Sequence, residues 1–284
     1  MNRHHLFGSL FGSLLTLAAF TSVTKNAAAE PWIDRPISLP TLHASADLGL
    51  GFGQTTTVDS NGKTGSSWGS GSNIEAAVGL PILGEVGVRT GLRFGDNGKA
   101  SHADEYGRLF DKETNSTSAG NDSVANPEIY LRGTLLSLEL VEVGLETRFT
   151  IPAADGSHFG WTPGVPVRIH LPHMARIDTG VYVPITFGDD TFYNVDIPAA
   201  LWFQFDDLFV GPIAGLRFNH IPHGDLTGDD NHADLRLGVG GGYTVAGFID
   251  LKAQLYAASV NHAPGNASWT DTIGFGFGVG IRVP

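Results

Sequence analysis

His220, His223, Asp225, Asp229, Asp230 and His232 stand within thirteen positions of one another. Imidazole nitrogen and carboxylate oxygen are ligands of zinc, and carboxylates are ligands of calcium. The spacing matches no established ligand pattern, and a specific metal site needs ligands held rigid by further hydrogen bonds. The stretch therefore reads as a solvated acidic loop rather than a metal centre. If a cation were held there, His220, His223, Asp225 and Asp229 would be its first ligands. Such a loop also suits divalent cations held loosely, which need no fixed geometry.

Other site chemistry finds little footing. The chain contains no cysteine, which removes disulfides, thiolate metal sites and thiol nucleophiles. His170 has no serine in a motif that would make it a nucleophile's base. The 38 glycines recur largely at alternate positions, unlike a phosphate-binding loop. Neither an enzymatic activity nor a cofactor is expected.

A larger set of charged residues shares a different pattern. Arg89, Arg93, Glu128, Arg132, Glu146, Arg148, Arg168, Asp178, Asp196, Arg217, Asp234, Arg236, Asp250 and Lys252 all fall in alternating segments. Each sits in the column that also carries glycine. The opposite column is mainly apolar and carries essentially no charge. Period-2 alternation means a strand whose faces meet different surroundings. The last stretch shows it most plainly: Ile273, Phe275, Phe277, Val279, Ile281 and Val283 alternate with Gly274, Gly276, Gly278, Gly280 and Arg282. A soluble sandwich places its bulky apolar face inside and polar side chains outside. Here the small and charged face is the crowded one, as in a transmembrane barrel whose apolar face meets lipid.

About twelve such segments follow one another, starting near Ser45, Ile74, Val86, Glu128, Val141, Val165, Arg176, Tyr193, Val210, Asp234, Ile249 and Thr272. The fourth reads as short. Polar breaks at 56–72, 95–126, 152–164, 220–231 and 260–270 alternate with tight turns near 81–84, 172–175, 206–207 and 244–247. Bacterial barrels have long external loops and short periplasmic turns. Pro166, Pro184, Pro198 and Pro212 oppose regular pairing, because proline cannot donate to a ladder. The expected fold is all-β, a transmembrane up-and-down antiparallel barrel of about 12 strands over residues 45–284. Residues 30–44, with Pro31, Pro36 and Pro40, read as an irregular periplasmic lead-in.

Residues 1–29 read as a secretory signal peptide: Arg3, an apolar core from Leu6 to Phe20, then Ala27-Ala28-Ala29. Only 16% of residues are charged, against about 25% in average proteins, while 42% are hydrophobic. That composition supports a folded chain. The formal charge is −12, and removing Arg3 and Lys25 leaves −14, which argues against a nucleic-acid partner.

With those residues in view, the chain resembles Gram-negative outer-membrane β-barrels. The resemblance implies residence in the cell outer membrane, with lipid and lipopolysaccharide as surroundings. The runs from Asn126 to Arg132 and from Val143 to Pro152 resemble small transporter-type barrels linked to aromatic-compound degradation. Members of the class usually end on an aromatic residue; this chain ends Arg282-Val283-Pro284. The functional expectation is a passive channel for a small polar solute, lined by the charged column. The alternative is a closed structural or surface-interaction barrel, with loop 95–126 as its working part.

The register makes opposite demands on two residues of one strand. Leu251→Arg should weaken insertion or stability by roughly 2–4 kcal/mol if it lies near the bilayer midplane. Gln254→Arg should fold and shift ion selectivity. Heat-modifiable gel migration of both variants checks this, and the reverse outcome would show the register inverted.

Overall fold

The computed structural model describes residues 30–58, 64–82, 84–94, 102–103, 109–110, 125–153, 158–172, 174–188, 191–220, 231–257, 259–261 and 273–284. Its strands are β1 (Ala44–Val58), β2 (Thr64–Leu80), β3 (Gly84–Phe94), β4 (Glu128–Ser137), β5 (Val141–Thr150) and β6 (Phe159–Leu171). They continue with β7 (Ala175–Tyr182, resumed at Ile185–Phe187), β8 (Thr191–Phe205), β9 (Leu208–His220), β10 (Asn231–Val245), β11 (Ile249–Ala257) and β12 (Ile273–Val283). Both parts of β7 lie between β6 and β8, so the thirteen segments of the sheet make twelve strands. Each strand pairs antiparallel with its sequence neighbours. The first and last meet from Ala44↔Val283 to Gly53↔Gly274, which closes the barrel. No helix among the described residues is long and apolar enough to cross a membrane.

The alternation drives the geometry. Leu48, Leu145, Val239, Leu251, Leu255 and Phe277 project outward and are exposed, Leu255 by 51%. Rings stack on that outer face: Phe52 on Phe275, and Phe159 between Phe149 and Phe187. Aromatic girdles of this kind flank the apolar band of membrane barrels. The start of β1, the end of β12 and the β2–β3, β4–β5, β6–β7, β8–β9 and β10–β11 junctions lie at one end of the barrel. The two-residue Asp206–Asp207 turn, bracketed by Phe205↔Leu208, is the tightest, with Asp206 at φ 52°.

Inside, several glycines face an aromatic ring on the strand beside them. Gly87 is opposite Tyr130, Gly164 opposite Tyr182, Gly274 opposite Tyr256 and Gly242 opposite Phe209. A Cβ at any of these glycines would overlap the ring. The glycine column thus receives side chains from neighbouring strands as well as opening space.

Three local expectations are corrected. The break at 56–72 is an extension of the β1–β2 hairpin, paired as far as Val58↔Thr64. Polar residues on both faces carry no lipid-facing column, so periodicity missed this part. The fourth strand is ten residues long, and a register shift between Thr134 and Leu136 hid its end by placing consecutive leucines outward. Within the expected lead-in 30–44, the stretch from Trp32 to Leu39 folds into the barrel's interior, with Trp32, Arg35, Ile37 and Leu39 buried. Within loop 95–126, His102–Ala103 pairs with Leu109–Phe110.

Pro184 marks the interruption of β7, where Val183 N–H still donates to the Pro163 carbonyl at 2.9 Å. Pro198 and Pro212 sit within paired strands.

Adding a methyl group at Gly87 forces the Tyr130 ring from its place. Gly87→Ala should cost about 1–3 kcal/mol, the usual cost of overpacking. Adding Tyr130→Ala should recover part of that loss, giving a non-additive cycle in urea unfolding of lipid-embedded protein.

Candidate functional site

The charged column forms ordered rows inside the barrel. In four places an arginine stands directly between two carboxylates on the flanking strands. The rows are Glu75–Arg89–Glu128 on β2 to β4 and Glu85–Arg132–Glu146 on β3 to β5. They continue as Glu142–Arg168–Asp178 on β5 to β7 and Asp196–Arg217–Asp234 on β8 to β10. Opposite charges directly across a ladder attract, and here they do so away from bulk water.

The contacts are close. Arg89 Nε reaches Glu75 at 2.6 Å, and its Nη1 lies 3.9 Å from Glu128. Arg132 lies 2.8 Å from Glu146 and 3.2 Å from Glu85. Arg148 joins the first two rows, at 2.8 Å from Glu128 and 2.7 Å from Glu146. Both guanidinium groups, of Arg132 and Arg148, lie 5.3 Å from the Tyr130 ring centre, and the Tyr130 hydroxyl donates to Glu75 at 2.7 Å. Asp178 takes Arg168 at 2.7 Å and Arg176 at 2.9 Å. Arg217 grips Asp196 through two bonds of 2.6 and 3.0 Å. Lys252 pairs with Asp47 on the opposite side of β12.

The short-turn mouth is occupied by the chain's own residues 31–43. Trp32 opens a single 3₁₀ turn, Trp32–Asp34, and stacks on Phe209 with ring centres 4.2 Å apart. Trp202 meets it edge-on at 6.1 Å. Arg35 makes a two-pronged contact with Asp250, at 2.5 and 2.9 Å. The Ile33, Ile37 and Leu39 amides donate to Gln204, Glu142 and Glu85 at 3.0, 2.9 and 2.7 Å. Arg176 and Arg168 donate to the carbonyls of Trp32 and Arg35. The prolines explain this mode of attachment: they withhold donors and oppose strand pairing, so barrel side chains satisfy the backbone instead.

A cavity of about 60 Å³ remains beside Trp32, bordered by Asp47, Asn73, Arg89, Lys252 and Gly280. That is room for a few water molecules, at roughly 10–15 Å³ each on this measure.

Among the described side chains, the structure places the expected charged residues on the inner face, most of them in ion-paired rows rather than as isolated lining groups. Asp234 accepts from Ser259 at 2.9 Å, and Arg236 pairs in register with Gly215. Arg93 pairs with Gly71 through the backbone; its side chain is outside the described residues, as are those of His220 and His232. His223, Asp225 and Asp229 also lie outside them. Among the described residues no group of three or more His, Cys, Asp or Glu is arranged to hold a metal. Sequence reasoning missed Trp32 and Arg35, whose segment has no periodicity to read. Tyr130, Tyr182, Trp202 and Tyr256 did carry a signal, as aromatic rings in the polar column.

This architecture is that of membrane-spanning β-barrels. An outer membrane channel from Pseudomonas putida F1 is similar, with TM-score 0.60 and 12% identity over 92% of this chain and 100% of that one. The NanC porin matches with TM-score 0.53 and 8% identity over 83% of this chain and 100% of its own. At such identities the likeness is one of fold. No protein-family model and no curated protein matches the chain.

Glu146 serves both Arg132 and Arg148, so Glu146→Ala should destabilise the barrel by about 3–5 kcal/mol, the cost of leaving buried charge uncompensated. Asp47→Ala, at a more solvated pair, should cost about 0–1 kcal/mol. Denaturant midpoints in lipid vesicles compare the two.

Proposed function

We propose that the protein is an outer-membrane channel for small polar solutes, and that the conformation described here is its restricted state. The observation that carries this reading is the division of faces. An apolar surface surrounds the barrel, while its interior is polar, charged and partly hollow beside Trp32. A barrel meant only to fill space would be served by apolar side chains, since well-packed hydrophobic residues often match or exceed buried ion pairs in stability. Export through residues 1–29 and placement among outer-membrane lipid and lipopolysaccharide belong to the same proposal. The role is non-enzymatic, and no cofactor takes part in it.

The rows also bear on the kind of solute. Cations and carboxylates alternate around the interior, so the field changes sign over short distances around the lining. Such a lining discriminates weakly between simple ions and orients molecules that carry both charges or strong dipoles. The competing reading, a closed barrel acting through its external loops, is favoured by the same ion pairs, because they fill the interior.

Planar-bilayer recording decides between them. Refolded protein should give small unitary currents with weak anion–cation preference. Vesicle swelling should report entry of small zwitterions ahead of disaccharides. A barrel that inserts yet stays electrically silent under all voltages, with a phenotype on deletion of loop 95–126, would establish the closed reading.

A further inference from the structure

We propose that residues 31–43 form a displaceable gate, a tethered peptide ligand bound in the short-turn mouth. This rests on the channel reading above.

The wall does not need the segment. Every strand is paired with both neighbours, and β12 closes onto β1 after the segment has ended. Backbone pairing ties the segment to the wall at its junction, where Leu42 N–H donates to Gly79 at 2.9 Å and Gly79 N–H to His43 at 2.8 Å. From Trp32 to Leu39 its backbone bonds to barrel side chains: Gln204, Glu142, Glu85, Arg176 and Arg168. Prolines at 31, 36 and 40 lack the N–H needed to add to a sheet.

The seat is built to survive its departure. Arg168 and Arg176 retain Asp178, Glu85 retains Arg132, and Asp250 retains the Thr244 hydroxyl at 2.9 Å. Withdrawal therefore exchanges segment contacts for water without stranding these wall charges. The main loss is the Arg35–Asp250 pair and the Trp32–Phe209 stack. The junction holds Leu42 at φ 66°, a conformation a leucine rarely adopts, and release of the segment frees it. The ion pair and the indole stack act as a latch, with 41–43 as the hinge.

The chain allows a direct test, because its 284 residues include no cysteine. Ser38 Oγ and Thr134 Oγ1 lie 3.0 Å apart, so Ser38→Cys with Thr134→Cys should cross-link the seated segment after a small adjustment. Non-reducing gels score the bond independently of conduction. The oxidised form should conduct several-fold less than the reduced form in planar bilayers. Arg35→Gln with Asp250→Asn, and separately Trp32→Ala, should raise the open fraction above that of the parent. Amides of Ile37 and Leu39 should exchange hydrogen faster than amides in the β3–β4 ladder.

Equal currents from oxidised, reduced and latch variants would overturn the gate while leaving the channel. Failure of the cross-link to form, or plug amides as protected as the ladder, would overturn the seating or its release. Silence of every form despite a formed cross-link would remove the channel reading, and the gate with it.

Discussion

Backbone amides in the hydrocarbon layer have no water to bond with, so each must find its partner within the protein. That constraint rules out an open sheet and makes the β12–β1 seam as necessary as any hairpin. It also bears on where proline is tolerated. Pro166, Pro184, Pro198 and Pro212 lie on β6 to β9, and nearby groups take up the freed bonding positions. Val183 N–H reaches the Pro163 carbonyl, and the Thr179 hydroxyl donates to the Pro198 carbonyl at 2.8 Å. This third of the wall is also where one strand breaks and resumes.

Closure sends alternate side chains into a confined interior, and twelve strands leave it at an intermediate width. Eight-stranded barrels fill with side chains, whereas those of sixteen or more enclose water-filled channels. Here ion pairs, aromatic rings and the N-terminal segment divide the space. The rows of acid, arginine and acid also constrain alignment. A two-residue slip between β3 and β4 would preserve which faces point outward. It would nevertheless set Arg89 against Tyr130 and Glu85 against Thr134, leaving charges without their opposites. Apolar patterning excludes a one-residue slip, and the charges penalise the next one.

The glycines serve the same confined interior. Opposite Tyr130, Tyr182, Tyr256 and Phe209 the missing side chain is room for a ring, and the ring covers backbone that would otherwise be bare. Where the segment from Pro31 enters, Phe209 and Trp202 instead form a slot for Trp32. The polar seat of that segment reuses groups already held in the wall, so one set of charges both braces the barrel and binds the plug.

The sequence by itself determined the faces. Alternation placed Leu251 and Leu255 outward and Lys252 inward, because a strand turns its side chains by a half-turn per residue and lipid rejects charge. The number of strands and the inward position of Arg89, Glu128, Arg132, Glu146 and Arg148 follow from the same period. Which charges meet was decided by tertiary structure, since partners depend on turn length and stagger between strands. Arg148 bridges Glu128 and Glu146 only because β4 and β5 stand in one register. The seat of residues 31–43 was beyond local reading altogether. Its proline-broken sequence looks like a linker, and the groups that bind it, from Glu85 to Asp250, converge only when the sheet has closed.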